Sequence, residues 1–427
     1  MRITNTHKFF DTLLLFLLVM SGGGLLFVFQ RNNLSYLLLF LALFVLVFMG
    51  TKIKKSIFNA SLFTLSVFLS LLLANYITVP QIEIMRGEHL NYLQYAFHLL
   101  NVTSCVLILM HLKNNRESSY FLDRIHFILK IVLYHALLSF LFYFFLKDYL
   151  IKLYGGWGNE YIADSFYYLF FYDAEKYKFS LFGVEFVRNQ GWFWEPGILQ
   201  IFLNILLFIE GFVVKRNKWT IFLLIIAIIT TYSTSGIFIM LILLVFIFWS
   251  YIRKHPLMMI LAISLSFPLY YVAKTNIENK TTGERSSSFQ KRYLDLVQPF
   301  AIARNYPITG VGLDRDYFQK LRSRFQMEDN FGKIIQTYTG FERIPESTEK
   351  GSSNSLTYLM AAMGFPVAFF LFYCLLKQNL FTKRKGIFMT IIILSIFSEP
   401  LLLRPFFLIL IVSGMISIFN KYTKQKI

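Results

Sequence analysis

Residues 237–249 read Ile-Phe-Ile-Met-Leu-Ile-Leu-Leu-Val-Phe-Ile-Phe-Trp, with no polar residue among them. Wound as a helix, this stretch is apolar on every face, so no side of it suits water. Similar runs recur at Leu13–Leu18, Leu37–Met49 and Ile221–Ile229. Over the 427 residues, 56% are hydrophobic, 19% aromatic and 15% charged, and the mean hydropathy is +0.55. A soluble domain carries about 25% charged residues. No soluble core absorbs so many apolar runs, and the chain reads as a membrane protein with many spans.

Crossing the hydrocarbon takes about 20 helical residues, within a range of roughly 17–25. Spans are expected near 9–29, 34–50, 57–77, 93–112, 125–146, 195–214, 218–232, 235–252, 256–273, 354–376, 382–398 and 401–419, about twelve in all. The spans 218–232 and 382–398 are short, and the second needs Lys383 and Arg384 to snorkel out of it. At the N-terminus, Ser21-Gly22-Gly23-Gly24 leads into further apolar sequence, which fits a first transmembrane helix better than a cleaved signal peptide.

Basic residues gather in alternate connections. One set comprises Arg2 and Lys8, Lys52 to Lys55, Lys113/Arg116/Arg124, Lys215 to Lys218, Arg253-Lys254, Lys383 to Lys385 and the tail Lys421/Lys424/Lys426. The other holds Arg31, Arg86 and two long loops. By the positive-inside rule the first set is cytoplasmic, both termini are cytoplasmic and the number of spans is even. The net charge of +18 therefore reflects orientation, not a nucleic-acid partner. Cys105 and Cys374 lie inside apolar runs, which argues against a disulfide framework or a Cys-based metal site. His89, His98, His111, His126 and His135 lack metal-ligand spacing, and no metal is expected.

The expected organisation is an all-α polytopic protein. Residues 1–146 hold spans one to five, 147–194 an outer loop, 195–273 spans six to nine, 274–353 a large outer loop, and 354–427 the last three spans and a cytoplasmic tail. The first loop is rich in Tyr, Phe and Trp and reads as an amphipathic segment at the outer interface. The second holds 13 Lys/Arg and 10 Asp/Glu in 80 residues. Loops this long usually carry function.

Four constellations could carry chemistry. In Arg188-Asn189-Gln190-Gly191-Trp192-Phe193-Trp194-Glu195-Pro196-Gly197, Pro196 suits the first helical position and Glu195 the helix start. Glu195 could be a cap and Trp192 and Trp194 interface anchors. Alternatively, Arg188 grips a phosphate while the aromatics stack on sugar rings, since a guanidinium pairs bidentately with phosphate oxygens. The second constellation runs from Arg285 and Arg292 through Gly310-Val311-Gly312 to Asp314 and Asp316. It is open between an anion site and a solvated basic face followed by a plain turn. The third, Ser352-Ser353-Asn354-Ser355, offers Asn354 as a helix cap. In the fourth, Glu399 and Arg404 lie near membrane depth, where ionisable residues are expensive; they are functional candidates or a mutual pair. Asp11, in the first span, is expected near the cytoplasmic end and exposed.

In this order the constellations resemble the O-antigen polymerase and O-antigen ligase superfamily of bacterial membrane enzymes. The resemblance rests on Arg188 to Pro196 before a mid-chain span, on Thr234-Ser235-Gly236, on Pro307 to Gly312 in a large outer loop, and on Asn354-Ser355-Leu356 with a later Gly. It implies a GT-C-like, metal- and cofactor-independent glycosyltransferase in the bacterial plasma (inner) membrane, multi-pass, with its active site on the periplasmic side. Its substrates would be polyprenyl-diphosphate-linked glycans as donor and acceptor, with membrane lipid around it and a chain-length regulator as a possible partner. Ligases of the superfamily have a His where this chain has Ser353, which favours polymerisation over ligation.

On that reading Arg188, Arg285 and Arg292 clamp the diphosphate, with Trp192, Trp194, Asn354, Glu399 and Arg404 at the substrate. Glu195 is the first choice as catalytic base, and Asp314 and Asp316 are held in reserve. The rival class is a flippase for lipid-linked sugars. A transporter would put polar residues near the bilayer midplane on repeated, broken helices, and this chain shows nearly charge-free spans and no repeat.

Overall fold

A computed structural model describes residues 5–30, 33–49, 53–79, 90–116, 119–155, 161–174, 176–181, 184–254, 286–324 and 352–424. The expected span 256–273 lies outside them, as does Arg285.

The described part is mostly helical. In chain order the helices are α1 (Asn5–Ser21), α2 (Leu25–Phe29), α3 (Asn33–Phe48), α4 (Lys55–Thr78), α5 (Tyr92–Asn115), α6 (Tyr120–Leu146), α7 (Pro196–Phe208), α8 (Lys218–Thr230) and α9 (Thr234–Ile252). They continue with α10 (Ser286–Asn305), α11 (Arg315–Arg324), α12 (Ser355–Leu376), α13 (Lys385–Ser398) and α14 (Pro405–Lys424). Among the described residues six are long and apolar enough to cross a membrane: α4, α5, α6, α7 with the π turn Ile209–Val213, α12 and α14. The apolar α3, α8, α9 and α13 are shorter. The chain is a multi-pass membrane protein.

Three boundaries differ from expectation for local reasons. The segment 9–29 breaks at Gly22-Gly23-Gly24 into α1 and α2, and Gly24 pairs with Phe193. The last helix begins at Pro405 rather than 401, because Leu401–Arg404 form a turn and proline suits a first helical position. Within α12, Gly364 (φ +74°) interrupts the helix and Pro366 offers no N–H. The carbonyls of Ala361 and Ala362 consequently lose their intrahelical donors. The N–H groups of Val311 and Gly312 supply them instead, at 2.8 and 2.9 Å, while Phe365 N–H turns to Pro307 O. The glycines near 310 thus dock the outer segment onto a broken helix; the expected alternatives were an anion site or a plain turn.

The mostly helical fold fits the all-α polytopic expectation, and the described residues of the expected outer loop 147–194 add short strands to it. β1 (Ile151–Gly155), β2 (Tyr161–Phe166) and β3 (Phe170–Tyr172) form an antiparallel sheet, and β4 (Lys178–Leu181) pairs with β5 (Val184–Val187). The aromatic amphipathicity there has the period of a strand: Leu153 and Gly155 are buried while Lys152 and Tyr154 are exposed. Leu153, Ala163 and Phe171 pack on Leu25 of α2, with Trp192 and Trp194 alongside.

All thirteen residues of α7 are buried, as suits a helix apolar on every side. Its polar pair bonds internally: Asn204 Nδ2 donates to Gln200 Oε1 and to Gly236 O. Gly236 makes this possible, since a Cβ there would stand 2.7 Å from Gln200 Cβ. At the bundle end opposite the strands, short basic connections meet: Lys54 N–H donates to Asn114 Oδ1, and Lys383 Nζ to Val213 O. Asp11 lies near that end but is fully buried, contrary to expectation, receiving Arg116 Nε (2.7 Å) and Tyr120 OH (2.9 Å) with His111 Nε2 at 2.8 Å. These partners allow a carboxylate to be buried.

Candidate functional site

The N-terminus of α7 lies at the strand-bearing end of the bundle, and two carboxyl groups meet there. Glu195 is its N-cap residue in extended conformation, followed by Pro196 at the first helical position. Glu399 arrives from the C-cap of α13, 204 residues later in the chain, and is buried. Ser355, at the start of α12, fixes the turn that carries Glu399: its hydroxyl donates to Glu399 O (2.7 Å) and accepts from Leu401 N (2.9 Å). Gly197 makes room, because a Cβ at 197 would stand 2.5 Å from Glu399 Oε1. The two carboxyl groups converge there: the same Cβ position would lie 3.9 Å from Glu195 Oε1.

Cations surround the pair. Arg292 of α10 reaches in with Nη2 3.5 Å from Glu399 Oε1, its side chain still 47% exposed. Arg188 follows β5; its Nε donates to Thr231 O (2.9 Å) and its guanidinium lies 5.4 Å from the Tyr177 ring centroid. The charges of both arginines act on both glutamates, and that of Lys176 on Glu195. Tyr177 donates its hydroxyl to Glu195 Oε2 (3.3 Å). Arg404 stacks 5.6 Å from the Trp194 ring centroid.

This field splits the two carboxyls. Burial, then the charge of Glu195, pushes Glu399 well above the ordinary carboxylate range. Burial would raise Glu195 too, but the hydrogen bond from Glu399 and the charges of Lys176, Arg292 and Arg188 hold it below that range. Burial and the adjacent Glu195 keep the Tyr177 phenol protonated, as its hydrogen bond requires. The result is an acid and a carboxylate in contact beneath a set of cations. That arrangement can accept a proton and bind an anion.

The structure brings together Arg188, Glu195, Arg292 and Glu399, with Trp194 and Arg404 adjoining. Trp192 stands apart, stacked on His135 at 3.9 Å. Asn354 caps α12, accepting from Leu356 N and Thr357 N. Asp314 and Asp316 are not brought to the pair by any contact among the described residues. Asp314 accepts from Asp316 N and Tyr317 N at the start of α11, and also from Asn91 N and Gln94 Nε2 at the start of α5. The expectation that either aspartate could replace Glu195 meets this structural engagement. Arg285 lies outside the described residues.

Sequence reading assigned no role to Tyr177, Lys176 or Asp295, and took Gly197 only as the end of the first constellation. Asp295 is a buried carboxylate of α10 that receives Ser353 OH (2.5 Å) and Ser353 N (2.9 Å) and pairs with Arg322 (2.7 Å). It sits one helical turn after Arg292, and the link to Ser353 fastens the arginine-bearing helix to the start of α12. The Pro196-Gly197 pair was the available signal for a close approach at the α7 N-terminus. Nothing in the sequence singled out Asp295.

Residues 219–372 match the family model described as O-antigen ligase. This match, over about a third of the chain, supports the resemblance to the O-antigen polymerase and ligase superfamily, whose members are membrane glycosyltransferase-like enzymes acting on lipid-linked glycans. The match contains Arg292, Asp295 and Asn354, while Arg188, Glu195, Glu399 and Arg404 flank it. No curated protein matches the chain.

Proposed function

We propose that the chain is a surface-polysaccharide polymerase of the bacterial inner membrane, working at its periplasmic face. It transfers a growing glycan from polyprenyl diphosphate onto a lipid-linked repeat unit. The observation that carries this reading is the convergence of Arg188 and Arg292 on the Glu195–Glu399 pair at one end of a membrane bundle.

In the reaction the acceptor hydroxyl attacks the anomeric carbon of the donor glycan. The new C–O bond forms as the bond to the diphosphate breaks, and the hydroxyl proton passes to the Glu195 carboxylate. The polyprenyl diphosphate leaves as an anion, stabilised by Arg188 and Arg292. Arg188 is held in place by Thr231 O and Arg292 engages the diphosphate on binding, so little reorganisation accompanies the build-up of charge in the bond-breaking step. Trp194, held against Arg404, offers an aromatic face to a sugar ring. A chain-length regulator would act from outside this chain.

Ligation is the second reading, favoured by the description of the matching family. Against it stands Ser353, in the place where ligases of the superfamily carry a His. Its hydroxyl is engaged as a donor to Asp295 and is no base. A gel of surface polysaccharide from a strain lacking the gene tests both. Polymerase loss leaves the lipid A core bearing a single repeat. Full-length chains accumulating on the carrier lipid, with a bare core, would establish ligation and overturn the polymerase reading. Repeats trapped on the cytoplasmic side would instead indicate a flippase.

A further inference from the structure

Glu399 occupies a site to which none of its sequence neighbours points. Its Oε1 is buried and without a hydrogen-bond donor among the described residues, Arg292 standing 3.5 Å away. A carboxylate so placed is poorly compensated; a carboxylic acid is far less costly there. The other carboxyl of the pair leads to the same conclusion. Both carboxyls crowd the same point beside Gly197. Two ionised groups so close repel each other, whereas a proton on one of them turns the repulsion into a hydrogen bond.

The surroundings say which one. Glu195 receives Tyr177 OH and feels Lys176, Arg188 and Arg292, a set suited to a carboxylate. Glu399 faces Glu195, Arg292, Arg188 and Tyr177, with the backbone of Gly197 pressed against its oxygen. A neutral acid at 399 also leaves the cations in excess where an anionic diphosphate must dock.

We propose that Glu399 is a positioning residue held as a neutral carboxylic acid, which donates its proton in a hydrogen bond to Glu195 and aims that carboxylate at the acceptor. Arg292, half exposed, turns from Glu399 to the diphosphate when substrate arrives, so diphosphate binding tightens the hold of Glu399 on its proton. The catalytic part of this inference rests on the polymerase reading; the protonation of Glu399 does not.

The test is infrared spectroscopy of the purified full-length protein in lipid nanodiscs, with pH titration. The carbonyl band of a protonated carboxylic acid should be present at neutral pH, absent in Glu399→Gln and retained in the exposed control Glu185→Gln. Inorganic diphosphate should raise the pH at which the band disappears, and Arg292→Ala should abolish that rise. Should Glu399→Gln not fold, Glu195→Gln serves instead: with the neighbouring charge gone, the band should vanish at lower pH than in the wild type. A band that survives in Glu399→Gln, or its absence from the wild type at neutral pH, overturns the proposal. In polymer synthesis, Glu399→Gln should flatten the pH profile, losing the decline on the alkaline side, because an amide donates at every pH. Retention of that decline removes the positioning role. If Arg188→Ala and Glu195→Gln both gave wild-type ladders, the polymerase reading would fail while the infrared result stood.

Discussion

Replacing Gly197 with alanine separates the geometry of the glutamate pair from its chemistry, since no titratable group is touched. The new methyl would stand 2.5 Å from Glu399 Oε1 and 3.3 Å from Glu399 Cδ. Ordinary contact begins near 3.4 Å, so the carboxyl must retreat by about 0.9 Å. Glu399 is buried, and its backbone is fixed by Ser355, so the side chain has to leave the pair. The helix itself accepts the change, because Gly197 lies in α7 without a positive φ and alanine is the better helix former by about 1 kcal/mol. A shift of roughly 1 Å in a reacting constellation costs about a hundredfold in rate. That corresponds to roughly 2.7 kcal/mol of barrier. The assay is the rate at which the polysaccharide ladder lengthens in a deletion strain carrying the variant, beside the thermal midpoint of the purified protein. Slow growth at an unchanged or higher midpoint is expected. Wild-type growth by a well-expressed Gly197→Ala protein would refute the catalytic importance of the pair.

Four further outcomes are expected. Arg188→Ala should slow chain growth by about 2–4 kcal/mol of barrier, and Arg188→Lys should recover little, lacking the planar fork that reaches Thr231 O and lies on Tyr177; kinetics of lipid-linked repeat consumption measure both. Asp314→Ala should cost about 1 kcal/mol of stability through the lost α11 cap, yet leave activity per folded molecule unchanged. Asp11→Ala should lower the unfolding midpoint strongly, by an effect on the order of 3–5 kcal/mol, since Arg116 is left at a buried site without its carboxylate. For pH, the raised folded value of Glu399 means that the native state binds a proton the unfolded chain releases near 4.5. Stability is then fully present below 4.5 and declines as pH rises through the folded value, so thermal midpoints should fall on the alkaline side in wild type and less so in Glu399→Gln.

The apolar runs determined the membrane class because burying an apolar surface depends on composition and period alone. Eleven expected spans fall on described helices, and the misplaced limits at Gly22 to Gly24 and at Pro405 were written in the glycines and the proline themselves. The arginines and Glu195 were visible as residue types suited to phosphate and proton transfer. Residues 151–187 were harder, because aromatic amphipathicity serves a strand or an interfacial segment equally until a partner surface such as α2 fixes the period. Only the tertiary structure decided which carboxyl joins Glu195. Glu399 lies 204 positions away, and its selection over Asp314 depends on where α13 ends relative to α7. Sequence records which side chains can ionise. Their protonation follows from burial and from neighbours at distances of a few ångströms, which only the packed chain supplies.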